Sequence, residues 1–233
     1  MRSLFVTGTG TSVGKTVVTA AICAATGARA MKPAQTGSSE PLDLEFVWKA
    51  TGRRDDPEIA CPYRFEEALA PAVAARRAGN PIDVERLRTC HETLAQDGPV
   101  VVEGAGGLLV ELADEFSMAD LVASLKLPLV IACVPGLGTL NHTALTVEAA
   151  HARGLDVAGL VVSGFPADPD PAARTNPAQL ARLAPLLGVI PHIEGLDVEA
   201  GEPASLAEVA SSALDPSLGG TFDANAFLRR LEG

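Results

Sequence analysis

The chain has 233 residues, 47% hydrophobic and only 4% aromatic, and a net charge of −11 from 18 Lys plus Arg against 29 Asp plus Glu. That length suits a single doubly wound α/β domain, and residues 1–233 read as one unit with no linker long enough to divide them. The acidity argues against a general nucleic-acid surface, and the longest apolar stretch is broken by Lys126 and Pro128, short of a membrane span.

With so few aromatics, Val, Leu and Ala must fill the core, which suits a parallel sheet covered by Ala-rich helices. Leu4–Thr7 is a short apolar strand ending in the Gly-rich stretch Gly8–Gly14, and a helix follows over Lys15–Ala25. Ala28–Met31 reads as a second strand and Leu42–Ala50 as a helix stopped by Gly52. A helical piece is predicted near Glu66–Arg77 and another over Asp83–Ala95, with Asp83 at its start. Val100–Glu103 and Leu129–Val134 are buried-type strands, and Thr139–Ala152 is a helix. Val157–Ser163 is a further strand, then a Pro/Asp-rich loop over 166–177, a helix near Ala178–Leu187 and a strand at Val189–Pro191. The tail beyond Gly201 carries weak helical signals at Leu206–Leu214 and Asn225–Leu231. Strands alternating with helices predict a mostly parallel sheet with helices on both faces, whose ligands lie beyond the carboxyl ends of the strands.

The informative residues cluster at those ends. Gly8–Thr16 closes in Gly14-Lys15-Thr16 between a strand and a helix, the core of a phosphate-binding loop, although Thr9 stands where the strict pattern has Gly. Small residues let the backbone wrap a phosphate, and the helix N-terminus supplies about half a positive charge. Ser12, Val13, Gly14, Lys15, Thr16 and Val17 form the expected nucleotide contact, with Lys15 on the β/γ-phosphates and the Thr16 hydroxyl on Mg²⁺. Glu103, at the end of its strand, is a candidate metal-linked carboxylate, followed by Gly104, Ala105 and Gly106. Asp43 opens a helix and reads equally as a second metal ligand or as a simple N-cap.

Three blocks stand together: Gly8–Thr16, Lys32-Pro33-Ala34-Gln35-Thr36-Gly37, and Glu103-Gly104-Ala105-Gly106-Gly107. Their order and wording resemble the dethiobiotin synthetase family, and a fourth block, Leu137–Thr143, is similar to that family's L-G-x-x-N-H-[AT] segment. The resemblance runs from about Ser3 to Ile193. It implies a ligase of biotin synthesis in which 7,8-diaminopelargonate and CO₂ (or bicarbonate) form a carbamate that ATP phosphorylates. The second amine then displaces phosphate and closes a cyclic urea.

On these residues the resemblance implies that Lys15 holds the phosphates, Lys32 stabilises carbamate and phosphoryl charge, and Thr11 lies close to the reacting groups. It puts Thr36 on the reacting end of the substrate and Thr16, Asp43 and Glu103 on Mg²⁺. Gly138, Thr139, Leu140 and Asn141 would receive the substrate carboxylate from a neighbouring subunit, implying a homodimer; a plain capped helix is the equal alternative. The base would lie between Ser163-Gly164 and Pro191-His192-Ile193. Three departures from the family stand out: the Lys15-to-Lys32 interval is about a helical turn short, Ser12 replaces a Glu of some members, and Ser163 occupies the region of an adenine-reading Asn. ATP remains the expected nucleotide, with weakened base discrimination.

Among alternatives, an amidotransferase-type ligase would add a nucleophilic cysteine. Cys23, Cys61, Cys90 and Cys133 are scattered, without zinc or redox spacing, as expected of reduced thiols in a cytoplasmic protein. Met1-Arg2-Ser3 runs directly into the first strand, so no secretory signal is expected. A partitioning ATPase would carry an extra lysine early in the phosphate loop, where Thr9, Gly10 and Thr11 stand. A scaffold without turnover would not need Lys15, Thr16, Lys32 and Glu103 together. The histidines His91, His142, His151 and His192 show no metal or triad arrangement.

Overall fold

The computed structural model of the chain describes residues 1–40 and 42–232. In chain order the elements are β1 (Leu4–Gly8), α1 (Lys15–Thr26), β2 (Arg29–Met31), β3 (Ala34–Thr36), α2 (Leu42–Thr51), α3 (Pro57–Ala60), β4 (Tyr63–Phe65), α4 (Pro71–Arg77) and α5 (Val84–Ala95). Then come β5 (Val100–Gly107), β6 (Glu111–Ala113), β7 (Phe116–Ser117), α6 (Met118–Leu125), β8 (Leu129–Cys133), α7 (Thr139–His151) and β9 (Val157–Phe165). The chain continues through α8 (Pro171–Leu180), β10 (Leu186–Pro191), α9 (Leu206–Ala213), a 3₁₀ turn (Pro216–Leu218) and α10 (Ala224–Glu232).

Six strands form one sheet in the order β10-β9-β8-β1-β5-β2, every pairing parallel. The doubly wound α/β class expected from the sequence is therefore the fold. The chain leaves β1 towards β2 on one side, whereas β8, β9 and β10 extend the sheet on the other. With right-handed crossovers this puts α1 on the face opposite α7 and α8. Contacts agree, since α1 packs with α2 and α9 while α7 packs with α8. The direction changes beside β1, so the crevice beyond its carboxyl end is where a ligand should sit. Strand residues such as Phe5, Val101, Ile131 and Leu160 are fully buried, as a sheet covered on both faces requires.

Two predicted helices are displaced. The helix expected near Ala178–Leu187 lies earlier, over Pro171–Leu180, and the segment 171–177 expected as loop forms most of it. Pro171 takes the first helical position, where its missing N–H costs nothing, and the Asp170 side chain accepts from the Ala173 N–H at 2.7 Å. Only Pro177 interrupts the interior. The helix expected from Glu66 begins at Pro71, again with proline at its start. β5 also runs beyond its expected end at Glu103 to Gly107, so Glu103 lies inside the sheet, opposite Val6 of β1. The short strands β3, β4, β6 and β7 and the helices α3 and α6 went unread in the sequence. No helix among the described residues is long and apolar enough to cross a membrane.

Candidate functional site

The Gly-rich loop leaves β1 and enters α1 through Gly14, whose φ of 87° is left-handed. A Cβ there would stand 2.3 Å from the Ser163 Oγ, so the loop is pressed against the end of β9. Ser12 is also left-handed, with φ 58°, an uncommon conformation for a residue with a side chain. The loop therefore curls tightly around the first turn of α1. Lys15 folds back, its Nζ donating to the Gly10 carbonyl at 2.8 Å, and it lines a cavity of about 410 Å³. Burial, together with the nearby Lys32 ammonium, lowers its pKa to about 8.

Charged groups converge on the floor of that cavity. Thr16 Oγ1 donates to Glu103 Oε1 at 2.9 Å, and Lys32 Nζ reaches the same oxygen at 2.7 Å and Asp43 Oδ2 at 2.5 Å. Glu103 has no solvent exposure and Lys32 only 4%. Burial pushes the Glu103 carboxyl upward, with Lys32 pulling the other way. Burial likewise opposes the charge on Lys32, but the Glu103 and Asp43 carboxylates outweigh it and hold the ammonium protonated. Glu103 Oε2 is buried and has no protein partner. The N-cap alternative for Asp43 is corrected: the residue lies inside the first turn of α2, its carboxylate bonded to Lys32.

Thr11, Ser12, Gly14, Lys15, Thr16, Lys32, Thr36, Asp43, Glu103, Ala105 and Gly106 all line this cavity. A second lobe of about 880 Å³ shares Thr11, Thr36, Asp43, Ala105 and Gly106 and continues past Leu42, Leu69, Ala70, Pro71 and Val110. One lobe is therefore polar and charged, with both lysines facing the carboxylates of Asp43, Glu103 and Glu199, and the other ends on apolar side chains. Gly138–Asn141 are not at either lobe. They open α7 next to the fully exposed Leu137, near an apolar surface that includes Leu109 and Leu145. Ser163 and Gly164 lie at the end of β9, with Pro191 at the end of β10 and His192 and Ile193 just beyond; the His192 N–H donates to the Phe165 carbonyl at 2.7 Å. Those two strand ends are thus adjacent.

Several lining residues went unread in the sequence. Gln35 is buried between Lys32 and Thr36, its Oε1 near the Asp43 N–H at 3.5 Å; its place inside the lysine block was an available signal. Val198 and Glu199 reach both lobes from the stretch before α9, whereas Ala68, Leu69 and Ala70, just before α4, and Pro71 at its start line only the second. Neither stretch carries a local pattern that separates lining from loop.

In overall shape the chain is similar to the cell-division protein MinD in its MinC complex from Aquifex aeolicus (TM-score 0.56, 15% identity, covering 100% of this chain and 96% of that one). It is also similar to a ParA family ATPase from Chlorobium tepidum (TM-score 0.56, 14% identity, 94% and 96% covered). At those identities the likeness shows the fold alone. A family model described as an AAA domain matches residues 2–200. An ATP-dependent dethiobiotin synthetase of Frankia casuarinae is 47% identical over 244 aligned positions, covering all of both chains. One from Saccharopolyspora erythraea is 45% identical with 94% and 98% covered, and one from Anaeromyxobacter dehalogenans 48% with 78% and 86%. With nearly half of the positions identical from end to end, and the phosphate loop, Lys32 and Glu103 gathered at one cavity, this chain belongs to the ATP-dependent dethiobiotin synthetase family.

Proposed function

We propose that the chain catalyses the reaction its relatives are named for: ATP-dependent closure of the dethiobiotin ring in biotin synthesis. One amine of 7,8-diaminopelargonate takes up CO₂ as a carbamate. The carbamate oxygen accepts the γ-phosphoryl group and releases ADP, and the second amine then attacks the carbonyl carbon and expels phosphate. Phosphoryl transfer asks a protein mainly for positioning and for positive charge where negative charge gathers. The observation that carries the reading is the two-lobed cavity, with Lys15 and Lys32 in its polar part and an apolar extension of a size to take an aliphatic chain.

Lys15 would hold the phosphates, Lys32 the carbamate and transferring phosphoryl oxygens, and Thr11 and Thr36 the reacting end of the diamine. Mg²⁺ fits the donor set of Thr16, Asp43 and Glu103: the groups are hard oxygens, and the buried, unpartnered Glu103 Oε2 lacks a cation. Among the described residues no cluster of three His, Cys, Asp or Glu could hold a metal, so phosphate oxygens would have to complete the shell. When bound, the ion would neutralise charge on the phosphates.

The base is assigned to the adjacent ends of β9 and β10, at Ser163, Gly164, Pro191, His192 and Ile193. Ser163 offers only a hydroxyl, so discrimination between bases should be weak; strict ATP selectivity in a competition assay would refute this. In a homodimer, Gly138–Asn141, which lie apart from both lobes of their own subunit, would receive the substrate carboxylate of the other. A monomeric variant with full activity would end that idea. A reducing cytoplasm suits four free, buried cysteines.

The deciding experiment is nucleotide hydrolysis with Mg²⁺ and bicarbonate, with and without 7,8-diaminopelargonate. Diamine-dependent turnover with dethiobiotin as product is expected, whereas hydrolysis indifferent to the diamine would refute the reading. Lys32→Ala should lower turnover on the order of 100-fold, and near-normal turnover in a folded variant would remove Lys32 from the chemistry.

A further inference from the structure

Lys32 stands where the proposed metal donors converge. Its Nζ lies 2.5 Å from Asp43 Oδ2 and 2.7 Å from Glu103 Oε1, and Thr16 Oγ1 donates to that same Glu103 oxygen at 2.9 Å. Mg²⁺ takes oxygen ligands at about 2.0–2.1 Å in near-ideal octahedral geometry. An ammonium bridging both carboxylates takes one oxygen of each and leaves Glu103 Oε2 without a partner, so a divalent ion on the same two carboxylates would stand close to the ammonium and be strongly repelled by it. Two largely buried carboxylates also need a cation beside them at every stage. Lys15 does not serve, because its Nζ is turned onto the Gly10 carbonyl.

We propose that Lys32 is the resident counter-ion of the metal site, neutralising Asp43 and Glu103 until Mg²⁺ arrives with the nucleotide and releases it towards the transferring phosphoryl group. Metal loading and delivery of the lysine are then one event. An ion drawn to the two carboxylates repels Lys32 from them, and the displaced ammonium has the incoming phosphate oxygens as its next partners. Lysine and metal thus compete when nucleotide is absent and act together once it is bound. The inference rests on the metal assignment above, but not on the diamine.

Mn²⁺ binding to nucleotide-free protein, followed by electron paramagnetic resonance, tests it. Lys32→Met removes the competitor and should bind Mn²⁺ on the order of ten-fold tighter than wild type. Equal or weaker binding, in a variant shown to be folded by circular dichroism, overturns the proposal. A measurement on the wild type guards against a variant that fails to fold. Because the chain has only the lysines Lys15, Lys32, Lys49 and Lys126, a ¹H–¹⁵N spectrum of the ammonium groups is simple to assign. Lys32, buried and doubly ion-paired, should give a slowly exchanging signal that shifts or disappears on saturation with Mg²⁺ and a non-hydrolysable ATP analogue. A signal unchanged at saturation overturns the exchange. Neither readout involves diaminopelargonate, so a failed synthetase assay would leave this result standing, and the reverse.

Discussion

Gly14 and Asn176 each fix a turn, one at the phosphate loop and one at the entry to α7. At Gly14 the backbone is left-handed, and a Cβ would collide with Ser163 at 2.3 Å. Gly14→Ala should therefore cost about 1–3 kcal/mol of stability and weaken nucleotide binding on the order of ten-fold or more as the loop is pushed from its curl. Calorimetric titration with the nucleotide checks this; wild-type affinity would mean that the loop tolerates the shift. Asn176 is buried, and its Nδ2 donates to the carbonyls of Pro135 at 2.8 Å and Gly136 at 3.1 Å, fixing the turn that leads into α7. If that turn helps receive the substrate carboxylate, Asn176→Ala should raise KM for the diamine several-fold and leave kcat within about two-fold. Unchanged KM in steady-state assays would separate Asn176 from substrate binding. The two residues also differ in legibility. Gly14 belongs to a contiguous motif whose spacing announces its role, whereas Asn176 works through residues 40 positions away and sits among prolines.

At the scale of elements, α8 and α10 show what local patterns carry. Prolines at 171 and 177 made the segment look like loop, yet Asp170 caps the helix and Pro171 occupies the one turn where proline fits. α10, in contrast, was signalled in the sequence, though weakly, at Asn225–Leu231, and it packs on α8 and β10. Its Phe227 meets Phe165 edge-on at 5.4 Å between ring centroids, tying the tail to the end of β9, where the base is assigned. Phe227→Ala should destabilise the protein by about 2 kcal/mol, less than for a fully buried ring. Urea unfolding measures this directly, and a loss below about 0.5 kcal/mol would mean that α10 is not part of the cooperative fold.

The whole molecule keeps four thiols in its core. Burial raises the Cys61 and Cys133 thiols to about 12, and those of Cys23 and Cys90 are raised as well. In the unfolded chain a thiol ionises near 8.5. The raised pKa values therefore contribute stability that is fully present below that pH and is lost as pH rises towards about 12. Each thiol should steepen the loss by at most about 1.4 kcal/mol per pH unit. Urea midpoints between pH 8 and 10 should fall less steeply in a Cys61→Ala/Cys133→Ala double variant than in wild type, and parallel curves would refute the assignment.

By itself the sequence determined the parallel α/β class, the phosphate loop with Lys15 and Thr16, and the lysine and glutamate blocks. Those features are written in neighbouring residues, through strand burial, helix spacing and a motif that closes on itself. Tertiary structure decided what lies between distant segments: Asp43 and Glu103 on the two sides of one ammonium, and Val198 and Glu199 brought to the cavity from the stretch between β10 and α9. It also separated Gly138–Asn141 from both lobes. The reason is physical. Strand and helix preferences act over a few residues, but a buried carboxylate must find its cation wherever the sheet order puts it, and here β1 and β2, flanking β5, bring Thr16 and Lys32 to Glu103.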